Sequence, residues 1–548
     1  MWEGTRVRSD LTPTSNHRPS PRSRRLAVQA LAVVFALGGG VLGTSPSALA
    51  GWDSADPYVD ARVDAVSTPV LGWTDCQDGF QCGTAHVPLD YDRPNDTTVE
   101  LAVIKLPASD PTSRIGTLFV NFGGPGPSGV DRLRARASWP WLFSEELRSR
   151  FDLVSWDPRG VSRSTAVRCF GSEAEQQAFL GSFPEMPADP GGEPVFYDKS
   201  AEFADRCQQH AGELLEHVST ANTARDLELL RRAVGDEKLT YHGISYGTYL
   251  GAVYANLFPG RVRALAFDGS MDFVGNATGH GAEGTTTPHG TRQDTPRGIA
   301  ETFDSFLRQC TAAGPRCAFS SGDPRAKWVA LAERARQQPI LIEGDAGPQT
   351  WTYSAVINAA AELAQPQTYP DLATLLQKLY DASTRDGARS LAATAAGGEP
   401  YLANRTEAFN AIQCSDSTVP TDTAIYSQMA LSEDSRVPYF GRIGVFDMMP
   451  CAFWRAKDTD RYTGPWNRRT AAPILVLNSR FDPSTPLHGA YDGARELARA
   501  RVLVVEGAGH TTMYLHSTCA ERVKRDYLIS GTLPVTGSSC GIDRPAFG

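Results

Sequence analysis

The sequence predicts an α/β fold in which a mostly parallel sheet is flanked by helices and a large helical cap is inserted between two strands. From about residue 99, apolar strand-like segments alternate with amphipathic helix-like segments, the pattern of a parallel sheet covered by helices. After residue 273 only helix-like segments follow, and the alternation returns near residue 469. Because ligands bind at the carboxyl ends of such strands, the inserted segments are expected to cover the active site.

The individual elements are predicted from hydrophobic periodicity. Seven short apolar segments are typical of strands: residues 99–106, 115–122, 151–157, 238–242, 263–267, 473–478 and 501–506. Five longer segments are typical of helices: residues 221–234, 248–257, 298–313, 325–338 and 370–383. The resulting domains are a leader (1–50), a first part of the core (51–273), a cap in which no strand is expected (274–468) and a second part of the core (469–548).

The composition excludes some classes of partner. Among 548 residues, 53 lysines and arginines are outnumbered by 62 aspartates and glutamates, and the formal net charge is −9. This surplus of acid, with no basic cluster in the body of the chain, argues against nucleic acid or an anionic membrane as the main partner. No metal or other cofactor is expected, because there is no C-x-x-C pair and the histidines are not grouped around the cysteines.

The first fifty residues have the features of a secretory signal peptide. Three arginines within residues 22–25 precede an apolar run at 26–42, and the small residues of 48–50 predict cleavage after the last of them. A membrane anchor is the alternative, but glycines at 38–40 interrupt a run already short of the roughly 20 residues that span a bilayer. We expect a secreted, extracellular protein, with cell-envelope association as an option and no stable membrane span after cleavage. The arginine pair leaves the general and twin-arginine export routes both open.

All ten cysteines lie beyond this leader, and their even number fits disulfides formed in an oxidising compartment. Most have a near neighbour in sequence, so one pairing is the most economical, although spacing alone leaves the connectivity open. That pairing joins Cys76 with Cys82, Cys169 with Cys207, Cys310 with Cys317, Cys414 with Cys451, and Cys519 with Cys540.

Residues 243–247 (G-I-S-Y-G) match the G-x-S-x-G pattern between a strand-like and a helix-like segment. A strand-to-helix turn this tight strains the backbone at Ser245, and the flanking glycines leave room for it. The turn lifts the serine hydroxyl clear of the sheet, in front of a helix N-terminus. Ser245 is therefore the predicted nucleophile, although the motif alone also arises by chance in a chain with 50 glycines.

A serine nucleophile needs a base, and the base needs an acid that orients it and stabilises its protonated form. In this architecture the chain order is serine, acid, histidine. Asp482 follows the strand at 473–478, and His510 follows the strand at 501–506 through a glycine turn. Both are expected at the same sheet edge as Ser245.

Three residues are alternatives to this acid and base. Asp268, at the end of the strand at 263–267, is the rival acid. His488, at the start of a predicted helix, and His516, expected within the final helix, are the rival bases. The two histidines are expected to support the site instead.

The oxyanion of a tetrahedral intermediate needs N–H donors, usually from the residue after the nucleophile and from the loop after an early strand. Tyr246 follows Ser245, and the loop 123–126 (G-G-P-G) follows the strand at 115–122. Glycines there let the backbone approach a substrate carbonyl. A plain β-turn is the alternative interpretation, but the position directly after that strand favours an oxyanion hole.

Five separated motifs, taken together, resemble those of the secreted actinobacterial tripeptidyl aminopeptidases, which stand with the prolyl aminopeptidases among the α/β-hydrolase serine peptidases. They lie in order at residues 121–126, 157–160, 243–249, 482–486 and 509–510. Further likeness at residues 76–91 and 412–416 extends the resemblance over roughly residues 73–540.

The resemblance implies an α/β-hydrolase fold and an aminopeptidase that acts on peptides with a free N-terminus. It assigns the roles of nucleophile, acid, base and the two oxyanion donors to Ser245, Asp482, His510, Gly124 and Tyr246. One position departs from the family pattern. Phe122 stands where the prolyl enzymes carry the histidine of H-G-G-P-G, so a strict preference for N-terminal proline is not implied.

An aminopeptidase must also bind the α-ammonium group of its substrate, which requires a desolvated carboxylate near the site. The cap offers four candidates, Asp416, Glu283, Glu301 and Asp304, of which the first two are preferred. The alternative for each is an ordinary solvated surface charge.

Three functions are compatible with these residues. The leading hypothesis is an exported serine exopeptidase that releases short, tripeptide-like N-terminal fragments through an acyl-enzyme. The second is a carboxylesterase or small-molecule hydrolase with the same machinery, because a fold does not specify its substrate. The third is a catalytically silent binding protein of the cell envelope. Nothing in the sequence specifies the oligomeric state or the side chains that are preferred.

Overall fold

The computed structural model describes residues 54–344, 347–382 and 403–547. The predicted leader, its cleavage site and its export signal lie outside the described residues, as does residue 383, the last of the helix predicted at 370–383. The described residues belong to one compact unit.

The described part of the chain contains a ten-stranded sheet and a separate two-stranded hairpin. The strands are β1 (Thr74–Asp75), β2 (Gln81–Pro88), β3 (Thr98–Leu106), β4 (Gly116–Asn121), β5 (Phe151–Trp156), β6 (Leu239–Ile244), β7 (Val262–Asp268), β8 (Ile340–Gly344), β9 (Gly347–Trp351), β10 (Ile474–Phe481), β11 (Ala500–Ala508) and β12 (Ser539–Gly541). The order in the large sheet is β1-β2-β3-β5-β4-β6-β7-β10-β11-β12.

Most of this sheet is parallel. Neighbouring strands from β5 to β12 run in the same direction, and β1, β2 and β3 join them antiparallel at one end. The predicted mostly parallel sheet is confirmed, and each of the seven predicted strands is present. Strand β2 was not predicted, because its outward-facing positions are polar and partly exposed and it forms no apolar run.

Helices cover the sheet and fill the long interval between β7 and β10. They are α1 (Gly129–Arg134), α2 (Glu145–Arg150), α3 (Glu173–Gly181), α4 (Glu193–Ala211), α5 (Thr220–Ala233), α6 (Tyr246–Leu257), α7 (Phe273–Ala277), α8 (Glu283–Thr286), α9 (His289–Arg292), α10 (Thr295–Ala313), α11 (Pro324–Gln337), α12 (Tyr353–Glu362), α13 (Tyr369–Asp381), α14 (Arg405–Asp416), α15 (Thr423–Arg436), α16 (Gly441–Phe446), α17 (Leu487–Glu496), α18 (Thr511–Tyr514) and α19 (Thr518–Ser530). Short 3₁₀ segments lie at Ala61–Ala65, Ala135–Ser138, Pro140–Leu142, Gly212–Glu216, Pro259–Arg261, Gly314–Arg316 and Met449–Phe453. None of the helices in the described ranges is both long and apolar enough to cross a bilayer.

The sheet is buried on both faces. Along β4, Phe119 packs into one hydrophobic cluster while Leu118 and Val120 pack into another, as expected when helices cover both sides of a parallel sheet. Helix α6 lies against the sheet so closely that a Cβ at Gly251 would come within 2.4 Å of the Phe267 ring. This close approach fixes the start of α6, and hence the turn before it.

The interval between β7 and β10 contains the predicted helices and one feature that was not expected. Strands β8 and β9 form an antiparallel hairpin in which Ile340 pairs with Trp351, so the expectation of a cap without strands is wrong. The two β-branched residues of β8, Ile340 and Ile342, favour this conformation. Three short helices, α7 to α9, precede the first predicted helix of this interval, α10.

All five predicted disulfides are formed. Two of them close short loops of neighbouring residues, and the other three join different elements. Cys414 in α14 is bonded to Cys451 in the 3₁₀ segment Met449–Phe453. Because this bond lies in the interval between β7 and β10, it holds together two parts of the expected cap.

The motif at residues 157–160 builds a buried polar network rather than part of a catalytic site. Arg159 is fully buried and donates two hydrogen bonds to Asp226, at 2.7 and 2.6 Å. It also donates to the backbone carbonyls of Pro88, Leu89 and His217. The sheet edge and helix α5 are thereby joined through one guanidinium group.

Candidate active site

Ser245 lies between β6 and α6 with φ 55° and ψ −124°. A positive φ is unfavourable for a residue with a side chain, and it persists only where the surroundings enforce it. Here the N–H of Ser245 donates to the carbonyl of Asp268 at 2.8 Å, which ties the turn to strand β7. The backbone strain predicted for the G-x-S-x-G turn is present at its serine.

The glycines around Ser245 are required by close contacts. A Cβ at Gly243 would come within 2.3 Å of the Gly247 carbonyl, and a Cβ at Gly247 within 2.7 Å of the Asn121 carbonyl. A Cβ at Gly123 would lie 2.4 Å from the carbonyl of Ile244. The G-G-P-G loop and the serine turn are therefore packed directly against each other.

His510 and Asp482 meet at the same sheet edge. The carboxylate Oδ1 of Asp482 accepts a hydrogen bond from His510 Nδ1 at 2.8 Å. The backbone N–H groups of Ser484, Thr485 and Thr511 also donate to this carboxylate. A carboxylate held this way fixes the imidazole with Nδ1 protonated and Nε2 free to accept a proton.

The environment of His510 favours its charged form. Burial alone would lower the pKa of His510, but the charge and hydrogen bond of Asp482 outweigh it, so the pKa lies above the ordinary histidine value. The backbone N–H of His510 donates to Gln365 Oε1 at 2.7 Å, which links the histidine loop to the long interval between β7 and β10.

The alternative acid and bases have other partners. Asp268 is buried and accepts hydrogen bonds from the backbone and hydroxyl of Thr512. His488 lies at the start of α17, as expected, 3.7 Å from Asp294. His516 precedes α19 rather than lying within the final helix, so that expectation is wrong, and it lies 3.4 Å from Asp543.

The two expected oxyanion donors flank Ser245. Tyr246 is the first residue of α6, where the N–H groups of a helix have no carbonyl partner within it. Gly124 has φ 118° and lies in the wall of the same cavity as Ser245. The backbone of both residues is thus available beside the serine.

A cavity of about 400 Å³ contains this edge of the sheet. Its wall includes Ser245, His510 and Gly124 on one side, and residues from the interval between β7 and β10 on the other. The volume lies in the usual range for a small-molecule or short-peptide site. Two arginines, Arg132 and Arg405, and one carboxylate, Asp447, also line it.

Asp447 is a site residue that our sequence analysis missed. It follows α16, and its side chain is exposed to the cavity while protein surrounds it on the other sides. Burial raises the pKa of Asp447 to about 7, although the N–H groups of Met448 and Gly290 and the charge of Arg292 oppose the rise. No cation within the described ranges forms an ion pair with it. The signal was available, because Asp447 is the single charged residue in the apolar stretch 443–454.

The four acids expected to bind the substrate amine lie elsewhere, none of them in the described wall of this cavity. Asp416 is buried and accepts hydrogen bonds from the backbone and hydroxyl of Thr220. Glu283 accepts from the N–H of His280. Glu301 and Asp304 are paired with arginines, Arg297 and Arg325, at 2.9 Å each.

Two groups of side chains in the described ranges have ligand atoms close enough to hold a metal ion. They are Asp272, His280 and Glu496, and Asp90, Asp92 and Asp460. Neither group lines the cavity of Ser245. A serine mechanism at Ser245 requires neither of them.

Comparison of the sequence with known proteins identifies the families that this chain matches. Residues 437–540 match the family described as TAP-like protein, and residues 117–313 match the α/β hydrolase fold. Serine protease Hip1 of Mycobacterium tuberculosis is 30% identical over 505 residues, which cover 87% of this chain and 92% of that protein. The tripeptidyl aminopeptidase of Streptomyces lividans is 29% identical, with 86% of each chain covered. Carboxylesterase B of Mycobacterium tuberculosis is 30% identical and covers 95% of this chain and 99% of its own.

Proposed function

Because the chain belongs to the TAP-like family of α/β-hydrolase serine peptidases, we propose that it is an exported exopeptidase that removes short fragments, tripeptides in the leading form, from the N-terminus of peptides. Ser245, Asp482 and His510 are its triad, and the N–H groups of Gly124 and Tyr246 form its oxyanion hole.

The reaction proceeds in two halves through an acyl-enzyme. Ser245 Oγ attacks the scissile carbonyl carbon while His510 Nε2 takes the serine proton, and the N–H groups of Gly124 and Tyr246 stabilise the oxyanion. When the C–N bond breaks, His510 gives that proton to the leaving amine. Water then attacks the ester with His510 as base, and Ser245 recovers its proton from the imidazolium as the fragment leaves.

The observation that carries the aminopeptidase assignment is Asp447. A substrate with a free N-terminus brings an ammonium group into the cavity, and this group needs a carboxylate partner once water is excluded. Asp447 lines that cavity and has no ion-pair partner within the described ranges, whereas none of the four acids first considered lines it. An ammonium group beside Asp447 would lower its pKa from about 7 and hold it ionised.

The position of this carboxylate determines the length of the fragment. If the ammonium group is bound at Asp447 and the scissile carbonyl at Ser245, only fragments that span this separation react. An extended chain advances about 3.3–3.6 Å per residue, so each additional residue changes the fit markedly. A tripeptide, which spans about 10 Å, is the length that the relative from Streptomyces suggests.

Export is supported by two independent features of the chain. Its five disulfides require an oxidising compartment to form and persist. The first fifty residues carry the sequence pattern of a cleaved leader.

Two paired measurements test the proposal. Release of p-nitroaniline from a tripeptidyl p-nitroanilide with a free amine is compared with release from its N-acetyl form, and we expect the blocked substrate to react at least about a hundredfold more slowly, the size of a buried charge interaction. The same assay with Ser245→Ala should show no release above background. Residual cleavage by that variant, or equal rates for the two substrates, would refute the exopeptidase.

The similarity to carboxylesterase B supports a second candidate, an esterase with the same triad. The two functions differ in what they require of Asp447. An esterase would hydrolyse short acyl esters without an amino group as fast as aminoacyl substrates. A fluorophosphonate probe that labelled the wild type but not Ser245→Ala would exclude a catalytically silent binding protein in either case.

A further inference from the structure

Arg405 lines both the cavity of Ser245 and a second, smaller groove. This groove has a volume of about 240 Å³ and shares Pro127 and Arg405 with the wall of the cavity. The rest of its wall includes Gly126 and Ser128, which continue from the proposed oxyanion loop. The groove and the cavity of Ser245 therefore adjoin each other at Pro127 and Arg405.

The backbone of Arg405 is fixed at this junction. Asn404, directly before it, is buried and donates to the carbonyls of Gly160 and Val167, at 2.8 and 2.7 Å. The carbonyl of Arg405 packs against Gly126, where a Cβ would come within 2.5 Å of it. The exposed guanidinium therefore extends from an anchored position beside the oxyanion loop.

The guanidinium of Arg405 has no hydrogen-bond or ion-pair partner within the described ranges. The other two arginines nearby are engaged. Arg163 and Asp131, in the same groove, form an ion pair at 2.9 Å. Arg132, the other arginine of the cavity wall, lies over the ring of Trp139. Among the described arginines that line the cavity or the groove, Arg405 is thus the one whose guanidinium has no partner.

The position of Arg405 in its helix does not account for this charge. It is the first residue of α14, and a cation in the first turn of a helix is unfavourable because the helix dipole is positive there. The residue therefore adds nothing to helix stability at that end. A role toward a ligand explains a charge that the fold itself disfavours.

We propose that Arg405 binds a carboxylate on the leaving fragment, so the enzyme favours peptides with a carboxylate one or two residues beyond the cleaved bond. The inference rests on the proposed function, in which Asp447 holds the amine end of the substrate and Ser245 the scissile carbonyl. The leaving fragment then departs along the remaining opening, past Arg405. Its carboxylate is either the C-terminus of a short peptide or an acidic side chain.

Three pentapeptides test the proposal and distinguish these two sources. Each begins with three alanines and ends in Ala-Ala with a free carboxyl group, in Ala-Ala-amide, or in Glu-Ala-amide. Tripeptide release by the wild-type full chain is followed by chromatography. We expect kcat/KM to be roughly fivefold higher for the two charged peptides than for the neutral amide, the effect of one exposed ion pair. A preference for the free acid alone assigns Arg405 to the C-terminus, and a preference for the Glu peptide alone assigns it to the side chain.

The variants Arg405→Gln and Arg405→Lys complete the test. We expect Gln to abolish the preference for charged peptides and Lys to retain part of it, and salt to weaken it in the wild type. Arg325→Gln, at a surface ion pair with Asp304, is the matched control for the change in net charge. Equal rates for the three peptides in the wild type, or an unchanged preference in Arg405→Gln, would overturn the inference. Loss of the requirement for a free amine would instead overturn the proposed function.

Discussion

His510 Nδ1 lies 2.8 Å from Oδ1 of Asp482, and the backbone N–H of Thr511 donates to the other carboxylate oxygen at 3.1 Å. The acid is thus held on both oxygens, and it presents one of them to the imidazole. Asp268, the rival, is engaged by Thr512 instead. The geometry therefore favours Asp482 as the residue that orients the base.

Replacing this acid by its amide tests the triad. In Asp482→Asn we expect kcat on a tripeptidyl p-nitroanilide to fall by about 10⁴-fold, because the amide stabilises the wrong imidazole tautomer. Asp268→Asn, a change of the same size in the same region, should cost far less. If kcat fell more in Asp268→Asn than in Asp482→Asn, Asp268 and not Asp482 would be the acid that orients His510.

The proposed amine anchor is tested by Asp447→Asn. We expect kcat/KM for a free-amine tripeptidyl substrate to fall by roughly 10- to 100-fold, mainly through KM, because a charge-assisted contact is lost. Slow hydrolysis of the N-acetyl substrate should be unaffected or faster, since that substrate brings no cation. Equal losses on both substrates would show that Asp447 supports the cavity without binding the amine.

The pH dependence of kcat/KM follows from the ionisation of Asp447 and His510. Asp447 has a pKa of about 7 in the free protein, and His510 has one above its ordinary value. Lower pH protonates both, which removes the negative charge that attracts the amine and the base that activates Ser245. We expect log kcat/KM of the wild type to fall with a slope approaching two below pH 7, and that of Asp447→Asn with a slope of one. Identical slopes would remove Asp447 from the binding step.

The buried pair of Arg159 and Asp226 has a separate role in stability. Asp226→Ala leaves the Arg159 guanidinium without its partner in a dry interior, and we expect the free energy of unfolding in urea to drop by about 3–5 kcal/mol. Activity per folded molecule should persist, because neither residue lines the cavity. Asp64→Ala, which breaks the exposed pair with Arg261, should cost less than about 1 kcal/mol.

Asp416 should make the protein less stable as pH rises. Burial raises its pKa from 3.8 to about 7, so between these values the folded state binds a proton that the unfolded state has lost. The free energy of unfolding therefore declines by roughly 4 kcal/mol between about pH 4 and pH 7, at about 1.4 kcal/mol per pH unit. Above pH 7 this group causes no further decline. In Asp416→Asn this contribution is absent, so its Tm relative to the wild type should increase over that pH range. A constant difference in Tm would mean that Asp416 is already ionised when folded.

The placement of Ser245, Asp482 and His510 at one sheet edge could be predicted because each follows an apolar strand, and a parallel sheet brings the carboxyl ends of its strands to one edge. Cysteine spacing was also informative, because two of the pairs are only six and seven residues apart and the other three join cysteines that are consecutive along the chain. Asp447 could not be found this way, because it lies between helices whose packing is not encoded in local periodicity. Strand β2 was not predicted for a related reason, because its partly exposed position leaves no run of apolar residues.

Asp416 shows why composition did not identify the amine anchor. The cap acids were proposed to bind the amine because of their charge, but both carboxylate oxygens of Asp416 already accept hydrogen bonds from Thr220. Asp447 differs from these acids because it lines the cavity and has no ion-pair partner within the described ranges. This position depends on how helices α9 and α16 pack against each other. A Cβ at Gly290 of α9 would come within 2.3 Å of the Asp447 carboxylate. This contact between distant parts of the chain has no counterpart in local sequence patterns.

Strands β7 and β10 are direct neighbours in the sheet, with Asp268 opposite Leu477, although residues 269–473 separate them along the chain. Because the two strands are parallel, the chain leaves the sheet at the carboxyl end of β7 and re-enters it at the amino end of β10. The residues proposed to select the substrate, Asp447 and Arg405, therefore lie in a different stretch of sequence from Ser245, Asp482 and His510, which are proposed to cleave the bond.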